Sequence, residues 1–107
     1  MTDTLYVAVS EYQVPLDEID PHLDEHRVWA LEQYRSGRML ASGRRTPPVG
    51  GVLIFRAESQ SEAESLVSTD PFVGRGFTAY TVYAFTATPD PWRSAAFASF
   101  AASPLNA

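Results

Sequence analysis

Six short segments of this 107-residue chain carry apolar patterns whose period alternates between two and about 3.6, and their order leaves few folds open. Leu5, Val7 and Val9 alternate with Tyr6, Ala8 and Ser10, a strand pattern that ends near Tyr12. The stretch Pro21 to Gly37 has helical spacing: Leu23, Ala30, Leu31 and Tyr34 stand at offsets 0, +7, +8 and +11 and form one apolar stripe. Arg38 to Ser42 reads as a short second strand closed by Gly43. Val52 to Phe55 is continuously apolar, as expected of a strand buried on both faces. Ser59 with Glu62 is a capping-box signature, and Ala63, Leu66 and Val67 follow at helical positions up to Thr69. Phe77, Ala79, Thr81, Tyr83 and Phe85 then alternate with Thr78, Tyr80, Val82 and Ala84 in a long last strand. The order β-α-β-β-α-β is the split βαβ arrangement of a ferredoxin-like α+β domain with a four-stranded antiparallel sheet.

The punctuation between these segments carries its own expectations. Asp17, Glu18 and Asp20 gather ahead of Pro21, so Asp20-Pro21 reads as an N-cap followed by the first helical position, and Gly37 as the C-terminal cap. Asp70-Pro71-Phe72 repeats the Asp-Pro pattern and opens a single turn. Two helices cover only one face of a four-stranded sheet. Val52 to Phe55 lacks a polar side, and the last strand has aromatic residues on both. The uncovered face is therefore expected to pack on a second copy, giving a homodimer, alone or within a higher assembly. Residues 1–86 form the expected domain and 87–107 a separate tail. Pro89, Pro91 and Trp92 break the last strand, and a short helix bearing Phe97 and Phe100 is expected to dock on the domain or on the dimer partner.

Composition excludes several classes of function. The net charge is −5, with eight Arg and no Lys, and an acidic domain with no basic run is a poor partner for nucleic acid. Cysteine is absent, which removes disulfide and thiolate chemistry. No basic leader with a long apolar segment and no run of transmembrane length is present, and a soluble cytoplasmic protein is the default expectation.

His26 lies on the inward stripe of the first helix, where an imidazole needs a polar partner. His22 to His26 also matches H-x-x-E-H, a zincin-like spacing, but no third ligand is placed by the sequence. Two structural or solvated histidines are the plainer reading, and neither metal nor cofactor is expected. Arg44 and Arg45, after Gly43, are either holders of an anionic substrate group or solvated loop residues.

Taken together, His26, Ser42-Gly43, Gly50-Gly51 and the Asp70-Pro71-Phe72…Gly76-Phe77 segment resemble the YCII-related family over roughly Leu5 to Phe85. The resemblance implies a small ferredoxin-like protein that dimerises as an α+β barrel, with His26 and Asp70 as a catalytic pair in a cleft. One branch of that family is associated with aromatic dehydrochlorinase activity. The chain departs from the family in its longer, proline-containing acidic loop before the first helix and in its tail.

A carboxylate on one ring nitrogen of a histidine fixes the tautomer and leaves the other nitrogen to take or give a proton. The first expectation is thus a cofactor-free lyase or isomerase acting on a small aromatic or cyclic substrate. Ser42, Gly43 and Arg44 would contact substrate; Phe72 either walls the cleft or joins the core, and Tyr6 either lines the pocket or packs in the sheet. The competing expectation is a non-catalytic small-ligand-binding or accessory domain, or a structural dimerisation module, in which Asp70 only caps its turn and His26 is a satisfied core histidine. An enzyme needs Asp70 within hydrogen-bond reach of His26 beside an open cleft.

Overall fold

The computed structural model describes residues 4–89 and 94–105, so the expected strand break at Pro91 and Trp92 lies outside the described residues. The elements are β1 (Thr4–Tyr12), α1 (Leu16–Ile19), a 3-10 turn (Asp20–His22), α2 (Leu23–Arg35), β2 (Met39–Arg44), β3 (Gly51–Phe55), α3 (Gln60–Ser68), α4 (Pro71–Gly74), β4 (Thr78–Thr86) and α5 (Ala95–Ala102). The strands form one four-stranded sheet in the order β2-β3-β1-β4, every pair antiparallel. This is the ferredoxin-like α+β fold.

Alternation gives each strand an inner and an outer set of side chains. The inner set includes Tyr6 and Ala8 of β1 with Leu53 and Phe55 of β3. They form the main core with Trp29 and Ala30 of α2 and Ala63 and Val67 of α3. On the outer face Val52 and Ile54 are only half-buried, so β3 is not sealed on both sides as its unbroken apolar run implied. The α2 and α3 helices lie on the inner face alone. Beside them on the outer face, Tyr83 is 58% and Phe85 46% exposed. At one end of that face Phe97 and Ala101 of α5 pack with Leu5 and Ala87. Arg56 fastens this contact, donating Nη1 to the carbonyl of Ala101 (3.1 Å) and Nε to that of Gly37 (3.0 Å), with its guanidinium 4.9 Å from the Phe100 ring centre. A basic group on the last carbonyls of a helix satisfies acceptors that the helix itself leaves open.

Local chemistry explains the boundaries. The Ser59 Oγ accepts the Glu62 N–H (3.0 Å), one half of the capping box, while the Glu62 carboxylate accepts from Arg38 (3.0 Å) instead of turning back. Gly37 stops α2 with φ +84, a conformation that costs glycine little. Asp20 does not cap α2 as expected. The chain reaches α2 through α1 and the 3-10 turn, no side chain caps α2, and the Asp20 carboxylate accepts instead from Arg44 Nη2 at 2.7 Å.

The apolar stripe of α2 is also rotated relative to expectation. Trp29 and Ala30 are buried, whereas Leu31 and Tyr34 are 45% and 40% exposed. Trp29 sets this rotation. Its indole is the largest apolar group on the helix, and its Nε1–H finds the Thr69 hydroxyl at 2.8 Å, at the C-terminal cap of α3. Turning Trp29 inward carries Leu31 and Tyr34 to the side of the helix that overlooks β2.

Candidate active site

The site is assembled around Asp70, which caps α4: its Oδ1 accepts the Phe72 N–H at 3.0 Å. The side chain is buried, the residue being 1% exposed, so an unpaired carboxylate would be costly there. Two further donors converge on it. His26 Nδ1 lies 3.1 and 3.0 Å from its two oxygens, and the Tyr80 hydroxyl donates to Oδ2 at 2.6 Å. Burial first, and then the Asp70 charge, push the Tyr80 phenol far above its ordinary range, so it stays protonated and remains a donor.

Two aromatic rings pack against His26. Phe72 stacks on it with centres 4.9 Å apart at 14°, and Trp29 lies at 5.8 Å and 32°. With a carboxylate as acceptor, Nδ1 carries the proton in the neutral ring. His26 Nε2 makes no hydrogen bond with any described residue, and the side chain keeps 23% of its surface open.

That open surface borders a cleft of about 400 Å³. One wall is α2, through Leu23, Ala30 and Leu31; the other is the sheet edge, through Ser42, Gly43 and Gly51. The hydroxyls of Tyr34 and Ser42 meet at 2.7 Å across the two walls. At another part of the rim, Arg44 donates Nη2 to Asp20 and Nε to the Tyr12 hydroxyl (3.2 Å). The bond to Asp20, and then that to Tyr12, hold the Arg44 guanidinium above its usual range as a fixed cation.

Of the residues singled out from the sequence, the structure brings His26 and Asp70 into contact and sets Ser42, Gly43 and Arg44 on the cleft. At the rim Arg44 is paired with Asp20. Phe72 is buried and acts as the platform under the imidazole. Tyr6 is not at the cleft: it is buried in the core, stacked on Phe55 with ring centres 5.9 Å apart. The sheet register accounts for this, since Tyr6 pairs with Phe55 and Ala84, several residues along the strand from the site. Arg45 turns to the Ser10 carbonyl at 3.2 Å. In the H-x-x-E-H stretch, Glu25 accepts from Arg75 Nε at 3.0 Å and lies 3.3 Å from His22. The Arg75 bond, ahead of His22, holds the Glu25 carboxyl below its usual range. Among the described residues no group of three or more His, Asp or Glu side chains is placed to hold a metal ion.

Tyr80, Tyr12 and Tyr34 were not foreseen as site residues. The alternation of β4 put Tyr80 on the same face as Ser10, its partner in register, but gave no sign that its hydroxyl would reach Asp70.

Fold and site together define a class: a small ferredoxin-like α+β protein with a half-buried histidine on a buried aspartate beside a side cleft. The chain belongs to the YCII-related domain family, whose model matches residues 4–86. Among solved structures it is similar to the 5-chloro-2-hydroxyhydroquinone dehydrochlorinase of Burkholderia phenoliruptrix AC1100, determined in complex with 2,5-dihydroxybenzoquinone. The TM-score is 0.68 at 20% sequence identity, over 78% of this chain and 95% of that one. At that identity the likeness speaks for the fold. No curated protein matches the chain.

Proposed function

We propose that this protein is a small, cofactor-free enzyme of the lyase or isomerase type that moves a proton on a small aromatic or cyclic substrate. His26 is its general acid and base, and Asp70 is the positioning partner. The observation that carries the reading is the asymmetry of His26, whose Nδ1 is committed to a buried carboxylate while Nε2 is unclaimed beside the cleft. With Nδ1–H donated to Asp70, Nε2 presents a lone pair and can accept a proton from a ring hydroxyl or carbon. Asp70 then stabilises the imidazolium, which returns the proton to another atom of the substrate or to a departing group. Tyr80 and the Phe72 N–H keep the carboxylate in place through the cycle.

The walls support a ring as substrate. Leu23, Ala30 and Leu31 offer an apolar side, and Gly43 and Gly51 bring bare backbone to the other. The dehydrochlorinase with the similar fold makes hydroxylated and halogenated quinols the first compounds to try. Turnover is followed by absorbance for the wild type, His26→Asn and Asp70→Asn. The expected outcome is turnover in the wild type that falls about 10²- to 10⁴-fold in His26→Asn. Saturable binding with no turnover in any form would move the protein to the ligand-binding or accessory class.

A homodimer through the outer sheet face belongs to the same reading. Exposed Tyr83 and Phe85, beside half-buried Val52 and Ile54, support it. Sedimentation at micromolar concentration should give a dimer, and a clean monomer would reject the dimeric barrel. Among the described residues no helix is long and apolar enough to cross a membrane.

A further inference from the structure

Behind His26 the cleft continues into a recess of about 20 Å³. Tyr12, His26, Gly43 and Gly51 border both spaces and form the throat between them; Ser10, Leu53, Phe72 and Tyr80 complete the inner end. A space of this size accepts one water-sized group and excludes anything longer.

Its chemistry is specific. Ser10 is buried and accepts the Gly51 N–H through Oγ at 2.8 Å, but its own proton is aimed at the Gly51 carbonyl over a long 3.4 Å. That proton is weakly committed and can turn to a better acceptor. Tyr80, directly opposite Ser10 in the β1–β4 register, has spent its proton on Asp70 and keeps lone pairs to accept with. Ser10 as donor and Tyr80 as acceptor match a guest that both accepts and donates one hydrogen bond. A hydroxyl does this, and a halogen or methyl group does not.

We propose that the recess is a subsite for a hydroxyl substituent of the ring that occupies the cleft. Because His26 borders both spaces, a group held in the recess lies next to the part of the ring that faces His26. The substrate class is therefore a ring with oxygen substituents on adjacent carbons, one facing His26 and one held by Ser10 and Tyr80. This deepens the functional reading above and rests on the cleft being the substrate site.

Calorimetric titration of the full chain with phenol, catechol and 2-methoxyphenol tests it without requiring turnover. Catechol should bind about fivefold or more tightly than phenol, the gain of a satisfied hydroxyl, and 2-methoxyphenol no better than phenol. In Ser10→Ala the advantage of catechol should fall below about twofold. Gly51→Ala is the second variant. A Cβ there meets the Gly43 carbonyl at 3.2 Å and Ser10 Oγ at 3.6 Å, so it fills the throat with only a small shift of its neighbours and should also erase the preference. Equal affinity for phenol and catechol, tight binding of 2-methoxyphenol, an unchanged preference in folded variants, or no binding of any probe would each overturn the subsite. Catechol preference without turnover of any ring substrate would instead strike the acid–base reading and leave the subsite standing.

Discussion

The two faces of the sheet are built by the same four strands and are finished by different means. On the inner face, Tyr6, Ala8, Leu53 and Phe55 meet Trp29, Ala30, Ala63 and Val67, and the buried polar groups at the site end find partners inside the chain. On the outer face α5 closes one end over Leu5 and Ala87, while Tyr83 and Phe85 stay largely in solvent. Strand alternation makes both faces apolar, but α2 and α3 meet the inner one whereas α5 meets only one end of the outer one. The inner face is complete within one chain. The outer face leaves Tyr83 and Phe85 largely uncovered by the described residues.

The largest expected effect separates the faces directly. Phe55→Ala opens a cavity in the closed core and should cost about 3–5 kcal/mol in denaturant unfolding. Tyr83→Ala, measured where the chain is monomeric, should cost under about 1 kcal/mol. Comparable losses would erase the distinction between the faces.

A second test addresses the polar part of the inner face. The Tyr80 phenol is held neutral by burial and by Asp70, whereas in the unfolded chain it ionises at about pH 10. Below that pH the residue is protonated in both states and adds no slope. Above it the unfolded chain releases a proton that the folded chain keeps, so stability should fall by about 1.4 kcal/mol per pH unit from this group. Tyr80→Phe should be less stable than wild type at neutral pH by about 1 kcal/mol and lose this slope above pH 10. Parallel pH–stability curves for the two proteins would show that the hydroxyl is not enclosed.

The smallest effect probes the covered end of the outer face. Arg56→Ala removes the donors to the Ala101 and Gly37 carbonyls. It should speed hydrogen exchange across Ala95–Ala102 by about fivefold to tenfold, the worth of roughly 1 kcal/mol, and leave β1 and β3 unchanged. Exchange that rises equally in the sheet would mean that α5 and the domain open as one unit.

The order of elements was readable because the period-2 segments and the helical segments are short, well separated and punctuated by Gly37, Ser59 and Asp70-Pro71. What periodicity could not supply was the choice between competing demands on one residue. Asp20 has the chemistry of a helix cap, yet Arg44 offers its carboxylate a charged donor. Helical spacing marks Leu23, Ala30, Leu31 and Tyr34 as one stripe of α2, yet Trp29, with a partner for its N–H 40 residues away, decides which side turns inward. The expectation that His26 meets Asp70, 44 residues on, came from the family resemblance and from the need of an inward imidazole for a partner. The reach of Tyr80 to Asp70 crosses the turn at α4, and no pattern along β4 encodes it.

Asp70 is both the cap that starts α4 and the carboxylate that holds His26. The two duties are separable in evolution although they share one side chain. A lineage that abandons the chemistry still needs an acceptor for the Phe72 N–H, so selection for folding alone preserves the aspartate. Under the acid–base role proposed above, His26 rather than Asp70 is the residue whose loss would record a lapsed activity. On that proposal, relatives of this protein are better sorted into working and retired catalysts by the histidine than by the aspartate.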